Sequence, residues 1–134
     1  MNAKQAHLEM IQGVINRLSQ TSFLLKGWSV LLVSSLFALA IANTQPLFVY
    51  LTYFPVITLW GLDGYFLHQE RHFRKLYDRV RQLDEGQIDF SMDTSIVSAE
   101  VETLWGVTVS KTLLAFHGTL LGTVFFIMLI LLLR

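Results

Sequence analysis

The fold of this chain depends on one stretch, WGLDGYFLHQERHFRKLYDRVRQL (Trp60–Leu83), in which an apolar helix becomes a basic one. At 100° per residue, its apolar and basic side chains fall on opposite sectors of a helix. The apolar sector contains Leu62, Phe66, Phe73, Leu76, Tyr77, Val80 and Leu83. The basic sector contains Arg71, Arg74, Lys75, Arg79 and Arg81. Half of the ten lysines and arginines of the chain therefore lie on one side of one helix.

Length and composition place the chain among small membrane proteins. Its 134 residues form one domain by length, and 53% of them are apolar while only 15% are charged. The formal net charge is zero, but the basic stretch is followed by an acidic tract with no base before Lys111. The acidic tract contains Asp84, Glu85, Asp89, Asp93, Glu100 and Glu102. The absence of cysteine excludes disulfide bonds, thiol catalysis and Cys-ligated zinc.

Hydropathy divides the chain into four predicted regions. They are an amphipathic cytoplasmic helix (1–22), a transmembrane hairpin of two spans (23–66), a cytoplasmic region (67–111) and a third transmembrane span (112–134). The first region is amphipathic because apolar residues recur at helical spacing, at Leu8, Ile11, Ile15 and Leu18. We expect this helix to pack on the other cytoplasmic helices or to lie at the membrane surface. A gating or oligomer-forming helix is the alternative.

The transmembrane hairpin consists of Phe23–Ala42 and Leu47–Phe66, joined by the polar turn Asn43–Gln45. Each span is close to the roughly 20 residues that a bilayer requires. Pro55 lies inside the second span and has no N–H to donate, so we expect a kink one turn earlier, near Leu51–Thr52.

The second span carries one carboxylate, Asp63, one turn from its end. A carboxylate buried within a membrane is a functional signal, but we expect Asp63 at the cytoplasmic interface, where such residues are more often structural. The helix is predicted to continue beyond the bilayer to Leu83 or Asp84, with Gly86 as its C-cap.

The remainder of the cytoplasmic region is predicted to be partly extended and partly helical. Ile88–Asp93 alternates apolar and polar residues, which is typical of a short strand or an extended segment. Ser98 is suited to cap a new helix, with Glu100 and Glu102 in the first turn.

The third span, Leu113–Leu133, contains small and hydroxylated residues in its first half. Gly118 and Gly122 form a GxxxG pair, which permits close packing of helices in lipid. A polar line through the span gives three pore-lining candidates, Thr112, Thr119 and Thr123. The alternative for these threonines is simple packing against a neighbouring helix.

The orientation of the chain follows from the positive-inside rule. Lys4, Arg17 and Lys26 precede or open the first span, and the basic stretch follows the second span. The N-terminus and residues 67–111 are therefore predicted to face the cytoplasm of a bacterial inner membrane. The C-terminus, Arg134, is predicted on the periplasmic side.

Signatures of catalysis and of metal binding are weak in this sequence. His68 and His72 are four residues apart on one helix, a spacing that suits a metal, but no second pair of ligands accompanies them. We interpret them as histidines beside a solvated basic face. P-loop, GxSxG and dinucleotide-binding motifs do not occur. The sequence predicts neither an enzyme nor a bound cofactor or metal.

The basic sector is the main functional signal. Because arginine contacts phosphate in a bidentate manner, the predicted phosphate-binding residues are Arg71, Arg74, Lys75, Arg79 and Arg81. A solvated face and contact with anionic lipid headgroups are the alternatives. Three spans enclose no useful aqueous path alone, so we expect a closed homo-oligomer, a homotetramer, in which these helices form a ring of positive potential.

Three stretches of the chain resemble a known family. They are HLEMIQGVINRLSQTSFLLKGWSVLLVSSLFALA (His7–Ala40), WGLDGYFLHQERHFRKLYDRVR (Trp60–Arg81) and DFSMDTS (Asp89–Ser95). These stretches resemble the sequences of small three-span bacterial membrane proteins of antiphage defence loci of the Hailong type. The resemblance implies a tetrameric channel that is held closed by single-stranded oligodeoxyadenylate, the product of a partner nucleotidyltransferase. It also implies opening on infection, which depolarises the cell; it assigns no ligand-contacting residue.

The sequence thus predicts an all-α membrane protein that acts as a ligand-gated ion channel effector of antiphage defence. Its expected partners are the lipid bilayer, further copies of itself, and a nucleotide or single-stranded oligodeoxyadenylate. One alternative is a non-conducting membrane anchor or scaffold for a soluble defence partner, which would tolerate substitution of Thr119 and Thr123. The other is a channel that its ligand opens.

Overall fold

Helices account for most of residues 2–133, the part of the chain that this computed structural model describes. The α-helices are α1 (Ala3–Asn43), α2 (Leu47–Leu51), α3 (Tyr53–Arg81), α4 (Leu104–Thr108), α5 (Lys111–Leu113) and α6 (Thr119–Leu132). A π-helical segment, Leu114–Gly118, joins α5 to α6. No β-strand occurs within residues 2–133, so the predicted all-α class is confirmed there. Arg134, the predicted periplasmic terminus, lies outside the described residues.

Three helical stretches are long and apolar enough to cross a membrane, namely Ala3–Asn43, Leu47–Arg81 and Leu104–Leu132. They match the predicted number of spans and indicate a membrane protein. Only 17%, 28% and 17% of the residues in their most apolar windows are buried inside the chain. Most of this apolar surface is therefore left for lipid or for other chains.

α1 is a single unbroken helix, in which the predicted amphipathic helix and the first span are continuous. Its 41 residues reach about 60 Å at 1.5 Å per residue, twice the ~30 Å of a hydrocarbon core. Asn2 caps its start, because its side chain accepts a hydrogen bond from the backbone N–H of Gln5 at 2.8 Å. Thr44 ends it within the predicted turn, in the left-handed region at φ 52°. About half of α1 therefore projects beyond the hydrocarbon.

The second predicted span is interrupted at Thr52, between α2 and α3. Pro55 has no N–H, so it cannot donate a hydrogen bond to the carbonyl of Leu51. The buried Thr52 hydroxyl donates to the carbonyl of Val49 at this point. The helix is thus interrupted where the kink is predicted from Pro55, and beyond Thr52 α3 runs unbroken for 29 residues.

α3 ends at Arg81, a few residues before its predicted end, and the prediction that Gly86 caps it is wrong. Gln82 closes the helix in a right-handed conformation, at φ −92° and ψ −5°, so no glycine is needed. Gly86 lies instead in a short 3-10 turn, with a φ that is not positive.

The chain after α3 folds back onto the start of α1, and this contact explains the early end of α3. The Glu85 carboxylate accepts hydrogen bonds from the backbone N–H groups of Ala3 at 2.5 Å and Lys4 at 3.2 Å. A helix start leaves such N–H groups unpaired, and its dipole favours a negative charge there. The carbonyl oxygen of Ser91 lies 2.8 Å from Nε2 of the buried His7. The segment is therefore tied to α1 at two points.

The segment Ile88–Asp93, predicted as a strand or an extended segment, forms no strand. Phe90 takes a left-handed φ of 57°, which interrupts the alternation that a strand requires. The backbone N–H of Ser95 donates to Asp93 at 2.9 Å, and this hydrogen bond lowers the pKa of the Asp93 carboxyl.

The prediction that Ser98 caps the next helix is wrong. Ser98 lies within a 3-10 turn that buries Val97, so the turn is held against the preceding helices and does not extend. Thr103 caps α4, because its side chain accepts a hydrogen bond from the backbone N–H of Gly106 at 3.1 Å.

Two hydrophobic clusters hold the helices together. The head cluster joins the projecting halves of α1 and α3 and contains Ile11, Ile15, Leu76, Val80 and Val97. The span cluster joins α1, α3 and α6 and contains Val33, Val56 and Val124. The head cluster fixes which side of α3 faces outward, and the span cluster fixes the third span against the hairpin.

Candidate functional site

The basic face of α3 is presented along the outer side of the helix. We use this name for Arg71, Arg74, Lys75, Arg79 and Arg81. The opposite side of the helix buries Leu76 and Val80 in the head cluster. Arg71 is half-buried and the other four residues of the basic face are exposed. The head cluster thus holds all five cations on one surface.

Three residues of the basic face have acidic partners within the chain. The ion pairs are Arg71–Glu102 at 3.3 Å, Arg74–Glu70 at 3.5 Å and Arg81–Asp78 at 3.8 Å. The Arg81–Asp78 pair is exposed on both sides, and such pairs contribute about 0–1 kcal/mol, because water screens them and long side chains lose freedom in making them. Glu70 differs, because it is buried and Arg74 is its ion-pair partner. A phosphate can therefore replace Asp78 at little cost, whereas taking Arg74 from Glu70 would leave a buried carboxylate unpaired.

The other two residues of the basic face, Lys75 and Arg79, have no ion-pair partner within residues 2–133. Both are exposed, and they are four residues apart on α3, so their side chains are neighbours. Two adjacent cations without carboxylates give the basic face its strongest attraction for an anion.

The aromatic residues of α3 offer little surface for stacking on a nucleobase. Phe73 and Tyr77 are partly buried against the head cluster. Tyr65 is 48% exposed and packs edge-on against Phe66, with ring centroids 5.4 Å apart. The basic face therefore offers cationic contacts and little aromatic surface.

The predicted pore-lining residues lie on the outward side of the third span. All three threonines, Thr112, Thr119 and Thr123, are exposed, as are most of the apolar residues of the span, whereas Leu113, His117 and Val124 are buried. The Thr119 hydroxyl donates to the carbonyl of Ala115 at 2.5 Å, and the Thr123 hydroxyl donates to the carbonyl of Thr119 at 2.9 Å. The hydroxyl protons are satisfied within the helix, so the line is compatible with water, lipid or another chain.

The GxxxG pair makes no close contact with another helix within residues 2–133. A Cβ added to Gly122 would meet open space, and one added to Gly118 would meet only the side chain of Leu114 on the same helix. The predicted packing role of this pair therefore requires a neighbour from outside the chain, such as a second copy.

A second charged site is buried between the three spans. We call it the Asp63 cluster, and it consists of Ser22, Lys26, Asp63 and His117. The Asp63 carboxylate is fully buried and lies 2.7 Å from Lys26 Nζ and 2.7 Å from His117 Nε2. The Ser22 hydroxyl also donates to it, and Lys26 Nζ donates to Ser22 Oγ at 2.8 Å. One carboxylate thus joins α1, α3 and the π-helical segment.

Aromatic rings and a close backbone approach surround His117. The imidazole is buried and stacks on Trp60, with ring centroids 5.9 Å apart and an interplanar angle of 8°. Trp60 Nε1–H donates to the carbonyl of Thr108 at 2.9 Å. A Cβ added to Gly64 would overlap the side chain of Thr108, so glycine allows α4 to pack closely there. The His117 Nδ1 atom is buried and has no hydrogen-bond partner within residues 2–133.

The prediction from sequence places Asp63 at the interface and does not include this cluster. The sequence nevertheless contains a signal for the Lys26–Asp63 pair. Lys26 and Asp63 are the only charged residues between Arg17 and Glu70, and they have opposite signs. They lie eighteen residues before and nineteen residues after Thr44, so an antiparallel hairpin turning there places them level. The approach of His117 carries no such signal, because the π-helical segment changes the register of the third span.

His68 and His72 stand with ring centroids 4.4 Å apart, but each ring is engaged with a backbone carbonyl. His68 Nε2 lies 3.1 Å from the Glu102 carbonyl, and His72 Nδ1 lies 2.8 Å from the His68 carbonyl. Among residues 2–133, no group of three or more His, Cys, Asp or Glu side chains is arranged to hold a metal ion.

Comparisons with protein-family models, with curated proteins and with solved structures find no match for this chain. Its function is therefore argued from the basic face, the third span and the Asp63 cluster.

Proposed function

We propose that this chain is the subunit of a homo-oligomeric ion channel whose basic face binds a phosphate-bearing ligand. The observation that carries the proposal is the pair Lys75 and Arg79, two adjacent exposed cations without an acidic partner in residues 2–133. They lie on α3, a helix that is continuous with the second apolar stretch. A ligand bound there acts directly on a membrane-spanning element.

The ligand is held in two steps of decreasing strength. Lys75 and Arg79 contact phosphate first, because no carboxylate has to be displaced from them. Arg71 and Arg81 then exchange their pairs with the exposed Glu102 and Asp78 for phosphate oxygens, and the exposed Arg74 extends the same face, which favours a ligand with several phosphates. The resemblance of the chain to the Hailong-type family suggests that this ligand is single-stranded oligodeoxyadenylate, supplied by a partner nucleotidyltransferase.

The subunits associate through the third span. Its outward side carries the exposed Thr112, Thr119 and Thr123 together with the GxxxG pair, and no other helix of the described residues packs closely on that pair. Three apolar stretches enclose no aqueous path of useful width, whereas a ring of such subunits does. We propose a homotetramer in which the threonine hydroxyls line the path for ions. In such a ring the basic faces add to one positive potential.

Gating is electrostatic in this proposal. The bound phosphates hold basic faces of neighbouring subunits together, and loss of the ligand lets them separate by mutual repulsion. The channel opens, the bacterial inner membrane depolarises and phage replication stops. The N-terminus and residues 67–111 then face the cytoplasm, where the ligand is made, and the C-terminus faces the periplasm.

Two alternatives make different predictions for the same protein. A non-conducting anchor or scaffold is favoured by the breadth of exposed apolar surface, of which Trp105, 78% exposed, is one example. A channel opened by its ligand uses the same basic face with the opposite sign of gating.

The test is ion flux from liposomes that hold the purified protein, with and without oligodeoxyadenylate. It compares the parent with Lys75→Glu/Arg79→Glu, and the matched control is Lys4→Glu/Arg17→Glu, which makes the same change of charge on α1. We expect flux that the oligonucleotide suppresses in the parent and in the control, and that it does not suppress in the α3 variant.

The other outcomes each select a different function. Flux that appears only with the oligonucleotide keeps the binding face and reverses the gating. Equal suppression of flux in the parent and both variants would mean that the oligonucleotide does not bind at the basic face of α3. An assembled oligomer without flux under any condition excludes the channel and leaves the scaffold.

A further inference from the structure

The π-helical segment Leu114–Gly118 is not explained by its own sequence. The residues LAFHG contain no proline, and their leucine and alanine favour an α-helix. π-helices are rare and have no local advantage over α-helices, so contacts elsewhere in the fold must hold this one. The buried residue of the segment is His117.

The hydrogen bond and the parallel ring stacking of His117 both come from α3. Its Nε2 atom lies 2.7 Å from Asp63 Oδ2, and its ring stacks on Trp60 one turn earlier on the same helix. Asp63 is in turn aimed by Ser22 and Lys26 of α1, both of which donate to its carboxylate. The α1–α3 hairpin therefore presents a fixed acceptor to which the π-helical segment conforms.

Closing the wide turn of the π-helix into an α-helix changes the register of everything after it by one residue. One residue of an α-helix is about 100° of rotation and 1.5 Å of rise. Thr119 and Thr123 follow the segment, whereas Thr112 precedes it. The segment thus sets whether these three side chains form one continuous line or a broken one.

The basic face and Asp63 lie on one rigid element. α3 runs without interruption from Tyr53 to Arg81, and Lys75 and Arg79 are twelve and sixteen residues beyond Asp63. These separations correspond to about 18 and 24 Å along the helix. A displacement at the basic face therefore moves Asp63 relative to the third span.

We propose that Asp63, through its contact with His117, is the positioning residue that couples the basic face of α3 to the rotational setting of α6. While the contact holds, the π-helical segment persists and sets Thr119 and Thr123 about 100° away from Thr112 around the helix. When it breaks, the segment closes into an α-helix, α6 turns, and the three threonines fall on one line. The identity of the upstream signal rests on the proposed function, but the dependence of α6 on the Asp63–His117 contact does not.

The chain contains no cysteine, so a single introduced thiol reports its own position without background. We would introduce Thr112→Cys or Thr119→Cys and measure the rate at which a water-soluble maleimide modifies each, in the purified oligomer. The informative quantity is the ratio of the two rates, because one site precedes the π-helical segment and the other follows it.

The coupling is removed with His117→Leu, which breaks the contact with α3 and leaves the Lys26–Asp63 pair intact. His117→Gln is the conservative variant, because its amide N–H reaches the position of Nε2. Without any ligand, we expect His117→Leu to change the ratio several-fold and His117→Gln to restore it. If the ratio is the same in all three proteins, the proposal is overturned.

A second variant removes the contact from the other side and protects the test against misfolding of His117→Leu. Lys26→Met/Asp63→Leu deletes the carboxylate without leaving an unpaired buried cation. It should change the ratio as His117→Leu does. An assembled Lys26→Met/Asp63→Leu protein that keeps the parental ratio contradicts the proposal even if His117→Leu does not fold.

Oligodeoxyadenylate then separates this inference from the proposed function. If it binds and shifts the ratio in the parent but binds equally well to His117→Leu without a shift, the contact transmits the signal. If it shifts the ratio equally in both, transmission by another route overturns the coupling. If it does not bind the parent, the proposed ligand is wrong, and the ligand-free ratio still decides the role of Asp63.

Discussion

The two charged regions of α3, the Asp63 cluster and the basic face, differ in burial and in the origin of their partners. Asp63 is fully buried, and its carboxylate is held by three side chains from two other elements. The basic face is exposed, with its Arg74 and Arg81 side chains at 58% and 61%, and it is only partly paired with acids. A buried charge without partners costs several kcal/mol, whereas an exposed one costs almost nothing.

The comparison teaches which charges serve the fold and which are free to serve a ligand. The partners of Asp63 come from helices distant in the chain, so the cluster is a condition of the packed state. The partners of Arg74 and Arg81 are neighbours on α3 itself, so those pairs persist whether or not the rest of the chain is packed. Substitutions in the two regions should therefore separate stability from binding.

The largest effect is expected from Asp63→Asn, which leaves the Lys26 cation without its counter-charge. Breaking a buried pair in this way should cost about 3–5 kcal/mol of the free energy of unfolding. Adding Lys26→Met should recover part of the loss, because the unpaired charge is then gone. Unfolding in mixed detergent micelles, followed by tryptophan fluorescence, measures both variants.

The matched control for that prediction is Asp78→Asn, which removes an exposed carboxylate of the basic region, 54% exposed and 3.8 Å from Arg81. It should change the free energy of unfolding by less than about 1 kcal/mol. Equal losses from Asp63→Asn and Asp78→Asn would erase the distinction between the two regions.

A smaller loss is expected from Leu76→Ala, in the head cluster behind the basic face. Leu76 is fully buried, and its truncation should cost about 3 kcal/mol through lost apolar contact and the cavity that remains. Met10→Ala, at a position that is 46% exposed on α1, should change stability by no more than about 0.5 kcal/mol. The same unfolding measurement applies, and a cost below that of Met10→Ala would mean that the head cluster is not packed.

The next effect in size concerns the contact between Glu85 and the start of α1. Glu85→Ala removes the acceptor of two backbone N–H groups, which should cost about 1 kcal/mol. Amide hydrogen exchange should accelerate at Ala3 and Lys4, while the exposed control Glu100→Ala leaves it unchanged. Unaltered protection of these two amides in Glu85→Ala would show that the contact does not form in solution.

How far the sequence predicts the fold depends on the range of the interaction that decides each feature. The interruption at Thr52 is predictable because Pro55 acts on the preceding turn of its own helix. The end of α3 is not, because it depends on a contact between Glu85 and Ala3, residues that are 82 positions apart. The start of α4 is not predictable for the same reason. The burial of Val97 holds Ser98 in a 3-10 turn, so Ser98 does not cap a helix.

The candidate site shows the same division. The basic face follows from helical periodicity alone, because one apolar sector is enough to orient it. The Lys26–Asp63 pair is within reach of sequence reasoning, through opposite charges placed evenly about the turn at Thr44. The partnership of His117 with Asp63 is beyond it, because a π-helical segment leaves no periodic trace in five residues.

The smallest effect on stability, and the largest on binding, is expected from Lys75→Gln/Arg79→Gln. Both residues are exposed and lack an ion-pair partner within residues 2–133, so their replacement removes no contact and should change the free energy of unfolding by no more than about 0.5 kcal/mol. Binding of oligodeoxyadenylate, measured by fluorescence anisotropy over a range of salt concentrations, should weaken. The slope of log K against log salt should fall by about 1.4, which is two phosphate contacts on a single strand. Lys4→Gln/Arg17→Gln removes the same charge from α1 and should leave the slope unchanged. A slope that falls equally in both variants would mean that net charge, and not the basic face of α3, attracts the ligand.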